Sequence, residues 1–404
     1  MAAAEPMPRA PLVLAAVRTP MGRHGGSLAG VRPDDLLAGI LDAVAERAAI
    51  DRGLIEEVSV GIVNASGEAM GNVARYALLL AGYPVSAAGV SMNRFCGSGL
   101  AAFNALAHAI AAGAVDVGVA AGVESMSRST WPVLKPQGAK YVGPIAARDA
   151  MFSGAGGPQH PRLEADGTMI EMSEGAQTIA AEYGIARAAM DSFAARSHAR
   201  AAAAVADGRF DSQLIPVARG DGTIFDRDET IRETSLEKLA ALGPYDPAAP
   251  DITAGNASPV NDGASALLLA APDSLPAGAK PIARVVGTAL AAVEPARFAI
   301  APVPAIRRLL ERTGVALEEV DLVEINEAFA VQVLACAEEL GLDEERVNVN
   351  GGALALGHAL GNSGTRLSVT LLHEMQRTGA RYGIASLCIA AGQGIATLFE
   401  RVDG

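Results

Sequence analysis

Val90-Ser91-Met92-Asn93-Arg94-Phe95-Cys96-Gly97-Ser98-Gly99-Leu100 reads as a short apolar strand that runs into a turn and leaves it as a helix. The helix is Ala-rich and is expected to continue to about Ala112. Strand, turn and helix in succession make an α/β unit, and a single cysteine stands on the turn. A thiol at a helix N-terminus meets free backbone N–H groups and the positive end of the helix dipole. That placement is expected to lower the pKa of Cys96 and to supply donors for an oxyanion beside the sulfur. The same residues also suit a small buried cysteine in a strand-to-helix turn, so the rest of the chain has to decide.

Reading outward toward the N-terminus, Leu12 to Val17 is a first strand and Arg18-Thr19-Pro20 closes it. Gly22 to Gly30 lacks phosphate-loop spacing and reads as a connection. Leu36, Leu37, Ile40, Leu41 and Val44 fall on one face of a helix from about Pro33 to Ala48. Ile55 to Asn64 is a second strand, Asn72 to Ala81 a second helix, and the next strand delivers Cys96. Beyond the Cys96 helix, Ala114 to Ala121 is an apolar strand ending in Gly122-Val123-Glu124-Ser125-Met126-Ser127.

The C-terminal third repeats this order. Pro281 to Gly287 matches the first strand, and Leu317-Glu318-Glu319-Val320-Asp321-Leu322-Val323-Glu324-Ile325-Asn326 echoes Ile55 to Asn64. Val347-Asn348-Val349-Asn350 echoes Val90 to Asn93, a strand follows at Arg381 to Leu387, and Gly394 to Phe399 resembles Gly263 to Leu268. Several echoes in one order mark two similar α/β halves. They also locate an insertion from roughly Arg128 to Ser258, with the only Trp (Trp131), the loop Gly154 to Pro158, and helical runs at Ser173 to Tyr183 and Arg187 to Asp207. The expected division is a first half at 1–127, an inserted loop domain at 128–258, the last strand of the first half at 259–276 and a second half at 277–404. An insertion between two halves suits a substrate cover or an oligomerisation arm.

Composition narrows the function. Half of the 404 residues are hydrophobic and 4% aromatic, which suits a tightly packed α/β protein and argues against disorder. A net charge of −13 speaks against nucleic acid and acidic membrane surfaces. Cys96, Cys336 and Cys388 form neither an even disulfide set nor a zinc spacing, so a reducing compartment is expected. No apolar run approaches a membrane span. The expectation is a soluble, cytoplasmic protein.

If the halves pack about a common axis, equivalent loops meet. One carries Cys96, and the other carries His358 in Asn350-Gly351-Gly352-Ala353-Leu354-Ala355-Leu356-Gly357-His358-Ala359-Leu360-Gly361-Asn362-Ser363-Gly364. Cys388 ends a strand in Cys388-Ile389-Ala390-Ala391-Gly392-Gln393-Gly394, and Asn326 ends another before Glu327-Ala328-Phe329-Ala330. A thiolate nucleophile needs a base, which His358 can be. A second thiol can move a proton to or from carbon, and Asn326 can donate a hydrogen bond where a carbonyl oxygen turns negative. Two thiols and a histidine also compose a partial metal site, but the three lie on separate loops without short ligand spacing.

In these motifs the chain resembles the thiolases, over Leu12 to Val402. The signatures are Asn93-Arg94-Phe95-Cys96-Gly97-Ser98-Gly99, Gly122 to Ser127, Gly255-Asn256-Ala257-Ser258, Asn326-Glu327-Ala328-Phe329, Gly351 to His358, and the closing loop Cys388 to Gly394. The resemblance implies a five-layered αβαβα fold of two pseudo-symmetric halves with an inserted loop domain that holds coenzyme A. Cys96 would carry the acyl group, His358 would activate it, and Cys388 would be the acid/base of the second half-reaction. Asn326, through a water, would form one oxyanion hole with His358, and the N–H groups of Cys96 and Ala390 would form the other. Ser258 would lie beside the pantetheine arm and Phe329 beside the acyl pocket, with Met172 and Ala328 also on the substrate side. Acyl-CoA and CoA would be substrates with no resident cofactor or metal, and the assembly a homodimer or homotetramer, with Ala114 to Ala121 a candidate interface strand.

Three departures stand out. Ala359 follows the histidine where the family often has proline, the last loop is poorer in glycine, and Glu171-Met172 stands where many short-chain members have His-Met. The last change bears on the substrate. Cys336 reads as core packing, His108, His198 and His373 as surface or partly buried positions, and Asp226 to Glu229 as a solvated loop. His24 and His160 fall in loops, and Arg187, Arg196, Arg200 and Arg209 are candidate partners for coenzyme A phosphates. Competing functions are a decarboxylating condensing enzyme, against which Cys388 argues, and a non-catalytic acyl-CoA or lipid carrier, against which the full set of Cys96, His358 and Asn326 argues.

Overall fold

The computed structural model describes residues 9–133, 160–165, 167–276 and 278–402. The loop Gly154 to Pro158 lies outside the described residues. In chain order the elements are β1 (Leu12–Arg18), β2 (Gly22–Arg23), α1 (Pro33–Ala48), β3 (Glu57–Gly61), α2 (Val73–Leu80), β4 (Ala88–Met92), α3 (Ser98–Ala111) and β5 (Val117–Ser125). The insertion holds α4 (Pro161–Ala165), α5 (Met172–Tyr183), α6 (Arg187–Ala206), β6 (Val217–Ala218), β7 (Ile224–Phe225) and α7 (Leu236–Ala240). Then come β8 (Asn261–Ala270), β9 (Ala283–Ala292), α8 (Pro302–Thr313), β10 (Leu322–Ile325), α9 (Ala330–Leu340), α10 (Ala353–Leu356), α11 (Leu360–Thr378), β11 (Tyr382–Ile389) and β12 (Gln393–Arg401).

The strand path is β10-β11-β12-β9-β1-β8-β5-β3-β4, with β2 on β8. Its midpoint is weak, because β9 and β1 pair only through Leu12 with Arg284 and Val13 with Ala283. The path is therefore two sheets hinged at one corner. Each has the same order: β1-β8-β5-β3 in the first, β9-β12-β11-β10 in the second. The pairing sense also repeats, since β3 runs parallel to β5 as β10 does to β11. Helices α3 and α11 pack together and each touches strands of both sheets, so they form a shared middle layer. Helices α1 and α2 cover the outer face of the first sheet, and α8 covers that of the second. The result is the five-layered αβαβα fold expected from the resemblance.

The middle layer is close because its helices meet at glycines. A Cβ on Gly364 would stand 2.2 Å from the Leu100 nitrogen, and one on Gly99 would stand 2.7 Å from the Gly361 oxygen. This brings the beginnings of α3 and α11 together, one just after Cys96 and the other just after His358.

Three sequence expectations need correction. Val347 to Asn350 does not form a fifth strand of the second sheet; only Val347 bridges Val323. The Asn348 side chain takes over, accepting from the Ile325 N–H and donating to its carbonyl at 2.9 Å each. The strand Ala114 to Ala121 is not a free edge: β5 lies between β3 and β8 and is buried throughout. Its alanines pack inside the protomer, and the edge of the first sheet is β4. Finally, Asp226 to Glu229 is not wholly solvated. Asp228 is buried in a bidentate ion pair with Arg18, at 2.7 and 2.9 Å. Glu229 receives N–H groups of Arg23 and Ser27. Both contacts tie the insertion to the first strand and its loop.

Candidate active site

The turn before α3 is built to aim one side chain. Ser98 accepts from the Arg94 N–H at 2.8 Å and donates to the Phe95 carbonyl at 2.6 Å. Asn93 accepts from the Phe95 N–H at 2.8 Å. Phe95 is thereby held in the left-handed region, at φ 46°, a conformation disfavoured for a residue with a bulky side chain. Cys96 follows, buried to 7% exposure.

Burial dominates the electrostatics of this thiol. It pushes the Cys96 pKa up to about 11, against the N–H groups of Ala390 and of Cys96 itself, which pull it down. The lowering expected from the helix terminus is thus present as a contribution but outweighed, because a thiolate loses more hydration here than the dipole returns. The Ala390 contact nevertheless puts the closing loop of the second half against the sulfur. Cys388 is the last residue but one of β11, opposite Gly394 of β12, is 1% exposed, and has its pKa raised by burial and then by Cys96 and Cys336. Of the two alanines in this loop, Ala391 takes the left-handed conformation, at φ 61°, whereas Ala390 keeps a negative φ. The departure from a glycine-rich loop therefore leaves the Ala390 N–H in place.

His358 is positioned from both ends. Its N–H donates to Asn261 at 3.0 Å, and its Nδ1 lies 2.6 Å from the Ser363 hydroxyl, which also reaches the Ala359 carbonyl at 3.0 Å. A serine proton used on Ala359 leaves the Ser363 oxygen to accept from Nδ1–H, so Nε2 carries the free lone pair. Burial, and then the Arg366 charge, push the His358 pKa down to about 3, so the ring is neutral at pH 7. Asn326 Nδ2 stands 3.5 Å from Nδ1 and 3.4 Å from Nε2, and its buried Oδ1 has no protein partner among the described residues.

On the substrate side, the segment that returns from the insertion pairs with the start of α9. Ser258 donates its N–H to the Ala328 carbonyl at 2.9 Å, Ala257 bridges Phe329, and the Ala330 N–H reaches Asn256 at 2.8 Å. Phe329 packs edge-on against Phe298 at 6.1 Å, and Met172 of α5 packs on the same cluster. At the start of α5 the Glu171 N–H donates to the Glu174 carboxylate at 3.3 Å, so it is Glu174 that closes the first turn.

All nine predicted site residues thus fall into linked groups: Cys96 with Ala390 and Cys388, Asn326 with His358, and Ser258, Ala328, Phe329 and Met172 together. Sequence reasoning passed over Ser363, Asn261 and Glu327. Glu327 is buried and accepts from Ser197, Asn348 and the Leu354 N–H, joining α6 to the glycine-rich loop. Its signal was its place beside Asn326 in an apolar run. His198 is buried, not at the surface. The four candidate arginines have protein partners: Arg187 with Asp191, Arg196 with Glu344, Arg200 with Glu345 and Arg209 with Asp207. Cys336 is core, donating to the Ala299 carbonyl. No described helix is long and apolar enough to cross a membrane.

Comparison with known proteins adds the following. Residues 12–273 match the thiolase N-terminal domain and residues 279–401 the thiolase C-terminal domain. The chain is 45% identical to the beta-ketoadipyl-CoA thiolase of Pseudomonas putida, over 96% of this chain and 98% of that one. It is 42% identical to an acetyl-CoA acetyltransferase of Chromobacterium violaceum, over 96% and 99%. Human mitochondrial 3-ketoacyl-CoA thiolase in complex with CoA superimposes with a TM-score of 0.91 at 34% identity, over 98% and 99% of the two chains.

Proposed function

We infer the division of labour from this premise: the chain belongs to the thiolase family and catalyses acyl-CoA + acetyl-CoA ⇌ 3-oxoacyl-CoA + CoA through an acyl-cysteine. In the thiolytic direction the Cys96 sulfur adds to the 3-oxo carbon while its proton passes to His358. The N–H groups of Cys96 and Ala390 receive the oxyanion that forms there. The bond between the second and third carbons then breaks, leaving the acyl group on Cys96 and an acetyl-CoA enolate. Asn326, with a water and His358, stabilises the enolate oxygen, and Cys388 protonates the carbon. The CoA thiol finally takes the acyl group and frees Cys96. Coenzyme A enters as substrate, and none of these steps calls for a resident cofactor.

The observation that carries this reading is the Ala390 N–H against the Cys96 sulfur, with Cys388 close enough to raise its own pKa through Cys96. Two thiols on one reacting centre fit a reaction that transfers both an acyl group and a carbon-bound proton. The test separates them. Cys388→Ala is expected to trap acetyl on Cys96, seen by intact mass, while thiolysis falls by about 10²- to 10⁴-fold. Near wild-type turnover in that variant, or an acetyl group mapped to Cys388, overturns the assignment.

For the substrate we propose a 3-oxoacyl-CoA with a distal carboxylate, of the 3-oxoadipyl type. The support is the similarity to the Pseudomonas putida enzyme over nearly the whole of both chains. The kcat/KM for 3-oxoadipyl-CoA is expected to exceed that for acetoacetyl-CoA by about tenfold or more, the size of one modest specificity contact. A preference for acetoacetyl-CoA favours the acetyl-CoA acetyltransferase reading instead.

We also propose that the protein is a homodimer built along β4. Among the described residues that strand pairs on one side only, and Val85, Val90, Tyr76, Leu80 and Met70 around it are exposed. The free cysteines fit the reducing cytoplasm.

A further inference from the structure

Glu124 is the last residue but one of β5, its side chain is buried to 1% exposure, and the chemistry above does not use it. Its carboxylate accepts three backbone N–H groups: Val63 at 3.0 Å, Asn64 at 3.0 Å and Gly361 at 2.8 Å. One oxygen, Oε2, is shared between Val63 and Gly361. These donors belong to different halves of the molecule. Val63 and Asn64 follow β3 in the first half, and Gly361 lies in the first turn of α11, three residues after His358.

Each donor leads to a reacting group by a short path. The Val63 carbonyl accepts the Asn93 amide at 3.0 Å, and the other atom of that amide holds the Phe95 N–H at 2.8 Å. The strained Phe95 turn sets Cys96. On the other side, the Gly361 N–H fixes the beginning of the helix from which Ser363 holds the His358 ring. Gly361 makes the approach possible, since a Cβ there would stand 2.6 Å from the Ile62 Cα and 2.9 Å from the Glu124 carboxylate. An anion at a helix N-terminus is favoured by the dipole and the free N–H groups. Burial raises the Glu124 pKa to about 7 against the pull of its three N–H donors, and the same carboxyl group is also bonded to a strand end in the other half.

We propose that Glu124 is a positioning residue that fixes the Cys96 turn relative to the His358 helix, by clamping the end of β3 to the N-terminus of α11. It touches no reacting atom, and it acts through Asn93 and Phe95 on one side and through α11 on the other. The proposal rests on the assignment of Cys96 and His358 above. A displacement of about 1 Å in such a pair costs about 10²-fold in rate, whereas the substrate cover formed by the insertion is untouched.

Glu124→Gln keeps the shape and one acceptor oxygen, but sets an NH₂ against an N–H. In the full-length enzyme it is expected to slow both kcat and the single-turnover acetylation of Cys96 by about 10²-fold, with KM for acetyl-CoA changed by less than about threefold. Asn93→Ala, at an exposed side chain, cuts the same line on the Cys96 side and is expected to act in the same direction. The double variant is expected to lose little more than the worse single one, because both break one connection. Wild-type acetylation in a folded Glu124→Gln, losses that multiply in the double variant, or a KM that rises in step with the fall in kcat/KM each overturn the proposal. If Glu124→Gln does not fold, Asn93→Ala decides alone: slowed acetylation at unchanged KM supports the clamp, and a wild-type rate overturns it. Mapping the acetyl group in the wild-type enzyme keeps the two readings apart. An acetyl group found away from Cys96 removes the nucleophile assignment, and this proposal with it.

Discussion

A neutral Cys96 thiol and a neutral His358 imidazole have a measurable consequence. Cys96 is pushed up to about 11 and His358 down to about 3, both chiefly by burial, so at pH 7 the proton rests on sulfur and the ring is uncharged. On the proposed mechanism the two would act as a general-base couple that forms thiolate as the substrate is attacked, not as a resting ion pair. Because the thiolate is the species that alkylates, the iodoacetamide rate at Cys96 is expected to rise about tenfold per pH unit from about pH 7 to pH 10. A preformed ion pair would instead give a flat rate across that range, as followed by peptide mapping. Cys336, fully buried with a pKa near 12, is expected to lag throughout. The residue types and their loops were readable from the sequence. The sign of the Cys96 shift was not, because a helix terminus is a local feature while desolvation is set by every element that closes over the sulfur.

Among the elements, the closing loop carries the clearest strain. Ala391 sits at φ 61° and Gly392 at φ 76°, side by side. A left-handed alanine costs roughly 1–2 kcal/mol, and replacing it by glycine gives back about 0.5–1 kcal/mol through the freer unfolded chain. Ala391→Gly is therefore expected to stabilise by up to about 1 kcal/mol, a rise in Tm of about 1–2 °C by scanning fluorimetry. A lower Tm would mean that the methyl group packs better than the strain penalises. Most element boundaries followed from periodicity and caps. Helix α1 runs Pro33–Ala48 as expected, and α2 begins after Asn72, whose side chain accepts from Arg75. The missing fifth strand of the second half was not readable, because Val347 to Asn350 has strand character but its register is filled by one asparagine side chain, an arrangement that pattern does not encode.

At the scale of the whole molecule, the open question is what covers β4. An edge strand with free N–H and C=O groups invites pairing, and a second copy meeting it by two-fold symmetry would satisfy both edges at once. Light scattering at micromolar concentration is expected to give a dimer mass, and Val90→Lys on β4 is expected to shift it toward the monomer. A monomeric wild type would remove the claim. The insertion is held to the body by the buried Arg18–Asp228 pair, with Arg18 also over the Phe210 ring at 5.0 Å. From sequence, that acidic run looked solvated; its partner lies 210 positions away.

The sequence by itself pointed to duplicated α/β halves, to an insertion between them, and to Cys96, His358, Cys388 and Asn326 as candidate site residues, because apolar period, turn residues and motif order are local properties of the chain. Only the tertiary structure decided which strand is an edge, how the two thiols and the histidine are ionised, and that the Glu124 carboxylate holds donors from both halves. Each of these depends on contacts between segments far apart in the chain. Glu124 and Gly361 stand 237 positions apart, and it is the close approach of α3 and α11 through their glycines that brings them within a hydrogen bond.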